Sequence, residues 1–415
     1  MIVVSASATA GPPAGTWSRW AEQPTQVDLR DLYLYSQNEG WAVGGSGVEG
    51  TAGGLPVVLR LTGGRWSVLN DLPEEMQLNV RFNAVDGTGP DNVWVAGQES
   101  RTGSSGQSSG ALWHYDGATW ERVSLPNDSL VAALTDVDVV ATEAGYEVWA
   151  ISRANARNTS YILRGNGLSW DDETIQNRSL LGIHMLNTEE GQIVTMGAGG
   201  APDGHHLWYH DGFWQATSVW TPQPLNAVSM AEPTYGWAVG NRGATDEYVG
   251  QCHNSTIDCR WNARQAVRSP GGAPVNTDLW DVQIVSRQEG WVVGEPWGGR
   301  STVAYLAQES SPKWRIVPVE DDPAQTLYGL AIWTGVDGHA VEGWAVGAHG
   351  TILHYAVPPG DATPAATVTA TPLPSVTPGV TPTSTPTRLP TPTPSRWSAF
   401  LSLTLRDRHV GGPSN

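Results

Sequence analysis

One alternation of apolar and polar positions recurs along the chain at intervals of 45 to 54 residues. A leucine or phenylalanine opens each copy, and apolar residues then return at alternate positions. This period of two is typical of a β-strand that buries one face. The seven copies occupy residues 29–34, 82–85, 134–139, 180–185, 225–230, 279–284 and 327–332.

Two further patterns accompany each copy. A polar turn follows, and then a strand opens on tryptophan, as in GWAVG at residues 40–44, 236–240 and 343–347 and GWVVG at 290–294. The fourth copy departs from this pattern, with Gln192 where tryptophan is expected. A later strand leads through a glycine-rich turn to another tryptophan, as in ALWHYDGATW, and such turns join hairpins. Each repeat is therefore predicted to be a four-stranded meander.

Repetition of a single sheet predicts a β-propeller. One four-stranded sheet cannot bury both faces, whereas copies stacked around an axis bury them against each other. Large aromatic side chains at matching positions then pack between adjacent sheets. We assign this structural role to Trp17, Trp41, Trp66, Trp94, Trp120, Trp149, Trp170, Trp214, Trp237, Trp261, Trp291, Trp314 and Trp344.

The ends of the repeat region predict how the ring closes. The seventh copy lacks its fourth strand, and the N-terminal TWSRW at residues 16–20 resembles TWERV at 119–123. We expect this N-terminal strand to complete the last blade, which would protect an exposed sheet edge. The prediction is an all-β, seven-bladed propeller in which residues 16–24 and 325–357 share the final blade.

The segments outside the propeller differ in composition. Residues 1–15 are interpreted as a leader or the remnant of a secretion signal, since small residues suit cleavage but a basic start is missing. Residues 358–396 are rich in proline and threonine and are expected to form a disordered stalk. Residues 397–415 carry an apolar stretch, either a sorting or docking segment or only a sticky end. No apolar stretch approaches the ~18 residues of a membrane span.

The net charge of the chain disfavours some classes of binding partner. The formal net charge is −18, and two aspartates and four arginines from Pro358 onward give that tail +2, so the rest carries −20. Such an acidic body argues against nucleic acid and against anionic membranes as partners. Cys252 and Cys259 are separated by six residues in a polar loop. A disulfide in an oxidising compartment is our preferred interpretation, with free thiols as the alternative.

The connections between second and third strands are predicted to be long, except in blade seven, and extra loop on one face of a repeat scaffold often marks the binding side. Neutral drift would explain these loops equally well. A Trp beside an Arg could stack on a sugar ring or a partner's aromatic residue, although local packing also explains Trp297. The predicted partner-binding residues are Trp297, Arg300, Arg101, His205, His206, Asp246, Glu247 and Tyr248.

Catalytic and metal-binding patterns do not stand out. The chain lacks a phosphate loop and a His-Glu-x-x-His motif. His205, His206, His210 and Asp211 could suggest a metal site. Their positions alternate along a predicted strand, however, and no third well-spaced ligand for zinc follows. Adjacent carboxylates such as Asp171 and Asp172 are expected to be solvated in turns. We therefore predict no catalytic residue, no metal and no cofactor.

The recurring Gly-Trp-Ala-Val-Gly, followed by a strand such as TILHY and a Gly-x-x-Trp turn, resembles the photosystem II stability/assembly factor family of seven-bladed propellers. It is also similar to bacterial neuraminidase-repeat propellers. The resemblance covers residues 16–357 and implies the propeller fold. In the photosynthetic members it implies a non-enzymatic assembly factor with a basic surface patch, whereas this chain is acidic.

These features favour a monomeric, secreted or cell-surface propeller that binds a protein or glycan through its long-loop face. The alternatives are a glycan-active hydrolase or lyase on the same scaffold, and an assembly factor for a membrane protein complex. The threonine- and proline-rich stalk favours the first two hypotheses.

Overall fold

The computed structural model describes residues 15–46, 54–100, 108–197, 199, 201, 203–250, 261–263, 267–306 and 313–358. They form seven sheets, which confirms the predicted all-β, seven-bladed propeller. Helical structure in this part of the chain is limited to short 3₁₀ turns such as Glu74–Met76. The predicted leader up to residue 14, the stalk from residue 359, the C-terminal segment, Arg101, Cys252 and Cys259 lie outside the described residues.

Each of the first three blades is a four-stranded antiparallel meander whose strands follow one another from the ring axis outward. Blade 1 comprises β2 (Leu29–Ser36), β3 (Glu39–Gly45), β4 (Pro56–Thr62) and β5 (Arg65–Val68). Blade 2 comprises β6 (Val80–Gly89), β7 (Asn92–Ser100), β8 (Ser108–Tyr115) and β9 (Trp120–Arg122). Blade 3 comprises β10 (Leu134–Thr142), β11 (Gly145–Ser152), β12 (Thr159–Gly165) and β13 (Trp170–Gln176).

Blades 4 to 6 repeat this order. Blade 4 comprises β14 (Arg178–Asn187), β15 (Glu190–Gly197), β16 (Gly204–His210) and β17 (Phe213–Thr221). Blade 5 comprises β18 (Leu225–Glu232), β19 (Tyr235–Gly240), β20 (Thr245–Tyr248) and β21 (Trp261–Ala263). Blade 6 comprises β22 (Leu279–Ser286), β23 (Glu289–Trp297), β24 (Arg300–Leu306) and β25 (Trp314–Ile316).

Blade 7 combines three separate stretches of the chain. Its inner strands are β27 (Leu327–Thr334), β28 (Ala340–Gly347) and β29 (Ile352–Ala356), and β1 (Thr16–Arg19) follows as the fourth. Trp17 pairs with Tyr355 in this antiparallel arrangement, as the N-terminal closure hypothesis predicts. An unpredicted fifth strand, β26 (Val319–Glu320), then pairs in parallel with the outer side of β1.

The innermost strands close the ring. β2, β6, β10, β14, β18, β22 and β27 each contact the innermost strand of both neighbouring blades, and β27 returns to β2. Apolar residues from facing sheets are buried between the blades, so the hydrophobic core is divided into clusters at successive blade junctions.

Pairs of tryptophans pack across the blade junctions. The tryptophan that opens the second strand of one blade lies against the outer-strand tryptophan of the next, with ring centroids 5.3–5.8 Å apart and rings steeply inclined. This edge-to-face geometry stabilises aromatic pairs beyond the area they bury. The pairs are Trp41–Trp120, Trp94–Trp170, Trp149–Trp214, Trp237–Trp314, Trp291–Trp17 and Trp344–Trp66.

The junction between blades 4 and 5 replaces such a pair with a polar cluster. Gln192 occupies the tryptophan position, and Trp208 lies opposite it on the neighbouring strand. Trp261 of blade 5 stacks instead on His206, with ring centroids 3.8 Å apart. The departure at Gln192 is therefore compensated locally.

The final glycine of GWAVG has a steric cause. A Cβ placed on Gly240 would lie 2.0 Å from the carbonyl oxygen of Pro224, and one on Gly347 would lie 2.0 Å from that of Thr326. These carbonyls belong to the segment that enters the same blade, and they accept the N–H groups of Asn241 and Ala348. Only glycine permits this close approach of the backbone.

Blade 5 corrects the prediction of loop lengths. The sequence predicts a long connection between its second and third strands, but that connection is a tight turn, Asn241–Gly243, with the same backbone geometry as Ala348–Gly350 in blade 7. The third strand, β20, begins at Thr245, so the insertion follows it. Blade 6 is also tight, because only Gly298 and Gly299 separate β23 from β24. Long second-to-third connections are therefore not a general feature of the ring.

Candidate functional site

A pocket of about 220 Å³ opens between the outer halves of blades 3 and 4. It lies near the short turn that joins β16 to β17, at the end of the blades opposite the second-to-third connections. Its residues come from the second, third and fourth strands of blade 3 and from the β16–β17 hairpin of blade 4. They are Trp149, Ile162, Arg164, Asp171, Asp172, Glu173, Tyr209, Gly212 and Trp214.

Aromatic and aliphatic side chains form one part of the pocket, together with a guanidinium held in place. The guanidinium carbon of Arg164 lies 4.8 Å from the ring centroid of Trp149. Its Nη1 donates to the hydroxyl of Tyr209 at 2.8 Å, and its Nη2 donates to Glu147 at 2.7 Å. The charge of Arg164 is therefore paired with Glu147, and its bond to Tyr209 links blade 3 to blade 4. These contacts hold the side chain in place as one wall of the pocket.

Two carboxylates form the opposite part of the pocket. Asp171 lies directly across from Arg164 in the β12–β13 pairing, and Glu173 lies across from Ile162, so both project from the face that turns toward blade 4. Neither has a cation within 4.0 Å among the described residues. Asp172 projects from the other face, where its carboxylate accepts a hydrogen bond from Asn127.

The electrostatics of this wall favour a cation. Partial desolvation raises the pKa of Glu173 above its ordinary value, although the side chain remains exposed. A positive group placed beside it would restore the ionised form and would gain the interaction with two carboxylates. The pocket places two carboxylates without a cationic partner beside buried aromatic rings, an arrangement that suits a lysine or arginine side chain.

Carboxylates also lie on the innermost strands, where they join neighbouring blades. Each of the inner-strand aspartates accepts a backbone N–H of the next blade at 2.6–2.8 Å. In Asp31, Asp136 and Asp281 the other carboxylate oxygen accepts the N–H of the following residue. The pairs are Asp31–Val85, Asp86–Val139, Asp136–Ile183, Asp138–Met185 and Asp281–Leu330.

Burial perturbs these aspartates strongly. It raises the pKa of Asp31 to about 7 and that of Asp281 to about 8, despite the backbone N–H donors that oppose the shift. Burial also raises the pKa of Asp86, Asp136 and Asp138. Perturbed carboxylates often mark active sites, but here the oxygens are engaged by the backbone, which supports an architectural role.

The structure places Trp297 and Arg300 together. They face each other across the turn formed by Gly298 and Gly299, both of which have positive φ. Trp297 is partly buried against the apolar cluster between blades 5 and 6, whereas Arg300 is exposed. The pair is thus accessible on one side only.

Four of the other predicted binding residues lie inside the blades. His206 is fully buried and its Nε2 lies 3.1 Å from Asp246, which is also buried. Glu247 is buried beneath Lys313, whose ammonium contacts both carboxylate oxygens at 2.5 and 2.6 Å. Tyr248 is buried against Trp261. These four side chains face blade junctions, where a surface partner has no access to them.

His205 is half-buried in blade 4, where its Nε2 lies 3.3 Å from Asp203. Burial and the nearby Arg178 lower the pKa of His205 to about 4. In the described residues, no group of three His, Cys, Asp or Glu side chains is placed to hold a metal ion. No helix of this part of the chain is long and apolar enough to cross a membrane.

Apart from Trp149 and Trp214, which the sequence assigns to packing, the pocket residues are absent from the sites predicted from the sequence, among them Arg164, Asp171 and Glu173. The acidic pair at Asp171 and Asp172 is exposed to solvent as predicted, but it belongs to strand β13 and not to a turn. One feature of the sequence does set blade 3 apart. Three consecutive acidic residues directly follow the motif tryptophan of β13, and no other repeat has such a run there. The contribution of blade 4 could not be inferred without the register between the blades.

Comparisons with known proteins identify the fold. No family model matches the chain, and no curated protein matches it. Among solved structures, "YCF48 bound to D1 peptide" is 16% identical, with a TM-score of 0.55, covering 82% of this chain and 97% of that one. YCF48 from Cyanidioschyzon merolae is also 16% identical, with a TM-score of 0.54, covering 82% and 98%. The WD40 propeller domain of Doa1 is 11% identical, with a TM-score of 0.55, covering 83% and 98%. The resemblance to photosystem II assembly factor propellers is thus confirmed at the level of the fold.

Proposed function

We propose that this protein is a non-enzymatic propeller that binds a partner protein, and that the pocket between blades 3 and 4 receives a lysine or arginine side chain of that partner. The observation that carries the proposal is that the exposed carboxylates of Asp171 and Glu173 lie beside a pocket backed by the buried rings of Trp149, Tyr209 and Trp214. The aliphatic stem of a basic residue would lie on the rings, and its charged end would meet the carboxylates.

The size of the pocket supports a side chain as its ligand. Small-molecule sites usually enclose ~300–1,000 Å³, and this pocket is smaller, at about 220 Å³. The acidic surface of the propeller region, with its net charge of −20 up to residue 357, would attract a basic partner from a distance.

Proteins of the same fold bind peptides. One of the similar structures is YCF48 bound to D1 peptide, and this precedent supports a peptide segment as the ligand here. The partner of this chain is expected to differ, because the two chains share only 16% of aligned residues. An assembly role would be one form of the same activity.

Glycan hydrolysis receives less support. A glycosidase needs two functional carboxylates ~5–10 Å apart at a site that a sugar can reach. The inner-strand aspartates are hydrogen-bonded to the backbone of the next blade. Asp171 and Glu173 do lie on one face at the pocket, but its volume of about 220 Å³ is below the usual ~300–1,000 Å³ of small-molecule sites. We therefore place the function in binding.

We also propose that the protein acts outside the cell or at its surface. The proline- and threonine-rich residues 358–396 and the spacing of Cys252 and Cys259 support this location. Protease accessibility on intact cells, compared with lysed cells, tests it. Protection of the protein in intact cells would contradict it.

Peptide selection tests the binding function. Random peptides displayed on phage are selected on the immobilised full chain, and we expect lysine- or arginine-containing peptides to be enriched. The double variant Asp171→Asn/Glu173→Gln should lose this enrichment. The matched control Glu121→Gln/Glu143→Gln removes the same charge at exposed positions outside the pocket and should retain it. Selected peptides that lack basic residues, or that bind both variants equally, would refute the proposal.

A further inference from the structure

Blade 3 presents a long free strand edge beside the pocket. Its outermost strand, β13, has seven residues, whereas the outermost strands of blades 1, 2, 5 and 6 have three or four. No strand pairs with the outer side of β13 within the described part of the chain. The nine-residue β17 of blade 4 is longer, but a register shift between His205 and Leu207 interrupts its pairing with β16.

The hydrogen bonds at both ends of β13 show which backbone groups point outward. Asn166 donates to the carbonyl of Ser169 before the strand, and Asn177 donates to that of Asn158 after it. Because antiparallel ladders alternate, residues 171, 173 and 175 direct their N–H and C=O groups toward β12. Trp170, Asp172, Thr174 and Gln176 therefore direct theirs toward the free edge.

The side chains alternate in the same way. Trp170 faces blade 2, where its ring lies 5.8 Å from that of Trp94, and Asp172 reaches Asn127 on that side. Asp171 and Glu173 face the pocket. A residue paired opposite either of them on an added strand would project from the same face, directly toward the pocket.

The molecule already contains a strand added in this manner. In blade 7, β26 pairs with the outer edge of β1, with Trp17 opposite Val319 and Ser18 opposite Glu320. The outer edge of a blade is therefore open enough in this fold to accept a fifth strand.

We propose that an extended segment of the partner protein adds to β13 as a fifth strand of blade 3 and inserts a lysine or arginine side chain into the adjacent pocket. This inference rests on the proposed function and specifies how the partner binds. The main-chain hydrogen bonds to residues 170, 172, 174 and 176 supply affinity, and the pocket supplies selectivity for a basic residue. The three consecutive acidic side chains of β13 deter pairing with a second copy of this acidic edge, while they favour a basic segment.

Backbone methylation of a peptide tests the strand geometry without altering the protein. The probe is acetyl-Thr-Val-Thr-Arg-Thr-Val-Thr-amide, titrated into the full chain by calorimetry. Two versions are compared, each N-methylated at alternate residues, so that one loses the N–H groups that face β13 and the other loses those that face solvent. We expect binding about tenfold weaker for the first version than for the second, from the loss of main-chain hydrogen bonds.

A protein variant provides the second measurement. Thr174→Pro removes an outward N–H, and it leaves the ladder to β12 intact because proline is tolerated on an edge strand. It should weaken the unmodified probe about tenfold, whereas Thr174→Ala should bind it as the wild type does. Thermal unfolding of both variants verifies that they fold.

The outcomes separate the two proposals. Equal binding of the two methylated peptides, with binding still lost in Asp171→Asn/Glu173→Gln, would overturn strand addition while the pocket function stands. Unchanged binding in that double variant would overturn the pocket function, and the peptide comparison would still report on the β13 edge.

Discussion

Trp344 in blade 7 packs edge-on against Trp66 in blade 1, with ring centroids 5.7 Å apart and an interplanar angle of 89°. The two residues come from opposite ends of the repeat region, yet their geometry matches that of the pairs between consecutive blades. The junction that closes the ring is therefore built like the others, and the seven blades form one continuous packing unit.

Truncation of Trp344 should destabilise the whole ring. Its side chain is fully buried, and removal of a buried tryptophan to alanine typically costs about 3–5 kcal/mol. Trp344→Ala should lower the free energy of unfolding by this amount in urea titrations followed by circular dichroism. Trp220→Ala is the matched control, because Trp220 is 53% exposed, and its change should remain within about 0.5 kcal/mol. Equal losses in both variants would contradict the closed packing unit.

The protein should become more stable as the pH falls from 8.5 to 6.5. The inner-strand aspartates have pKa values raised above 3.8, to about 7 for Asp31 and about 8 for Asp281. The folded state therefore holds protons that the unfolded state has released, and its stability is lost as the pH rises through the raised pKa values. We expect a difference of about 2 kcal/mol between the two pH values.

Histidines limit this trend at lower pH. The folded-state pKa of His205 is lowered to about 4, so stability from this group is lost as the pH falls from 6.5 to 4. In urea unfolding across pH 4 to 8.5, the stability should therefore rise less steeply below pH 6.5 than the aspartates alone would give. A steady loss of stability from pH 8.5 downward would contradict the shifted aspartates.

Asp281→Asn should reduce the pH dependence of the free energy of unfolding. Asp281 accepts the N–H of Val282 and that of Leu330 in the next blade. At pH 6.5 Asp281 is largely protonated, and the amide NH₂ replaces its OH, so the variant should lose about 1 kcal/mol at that pH. The amide cannot ionise, so the wild type alone should lose stability from this group above pH 6.5, and the gap should close and then reverse by pH 8.5. Stability curves that run parallel across this pH range would show that Asp281 does not titrate in it.

Lys313→Met should leave the buried charge of Glu247 unpaired and should therefore destabilise the protein. Lys313 neutralises Glu247, whose side chain is only 4% exposed, and breaking such a pair typically costs about 3–5 kcal/mol. The double variant Lys313→Met/Glu247→Met removes both charges and should recover most of this loss. Calorimetric unfolding of the single and double variants measures the coupling. Equal stability of the wild type and Lys313→Met would contradict a structural role for the pair.

The fold was predictable because its signals are local and repeated. Strand alternation, hairpin turns and the tryptophans recur in each copy, and the likeness of residues 16–20 to 119–123 revealed the closure through Trp17. β26 could not be predicted because two residues carry no pattern. The third strand of blade 5 reads as loop in the sequence, since Thr245–Tyr248 is short and its polar residues Asp246 and Glu247 are buried by partners from neighbouring blades.

The candidate site was harder to predict because it depends on register. Asp171 and Arg164 meet across a hairpin, and Tyr209 and Trp214 reach the pocket from the next blade. Trp149 and Trp214 are predicted to serve packing, and they do pack, yet their ring edges also line the pocket. A residue can thus belong to the scaffold and to the site, which a sequence motif alone does not distinguish.

The position of β1 between β29 and β26 has a consequence for biosynthesis. Strand β1 is synthesised long before its neighbours, because both are encoded after residue 318. Until then the ring has an open junction, and the growing chain carries unpaired strand edges and uncovered tryptophans. Completion of blade 7 therefore reports that the chain has been synthesised through Ala356, so a prematurely terminated product would remain recognisable to cellular quality control by its open junction.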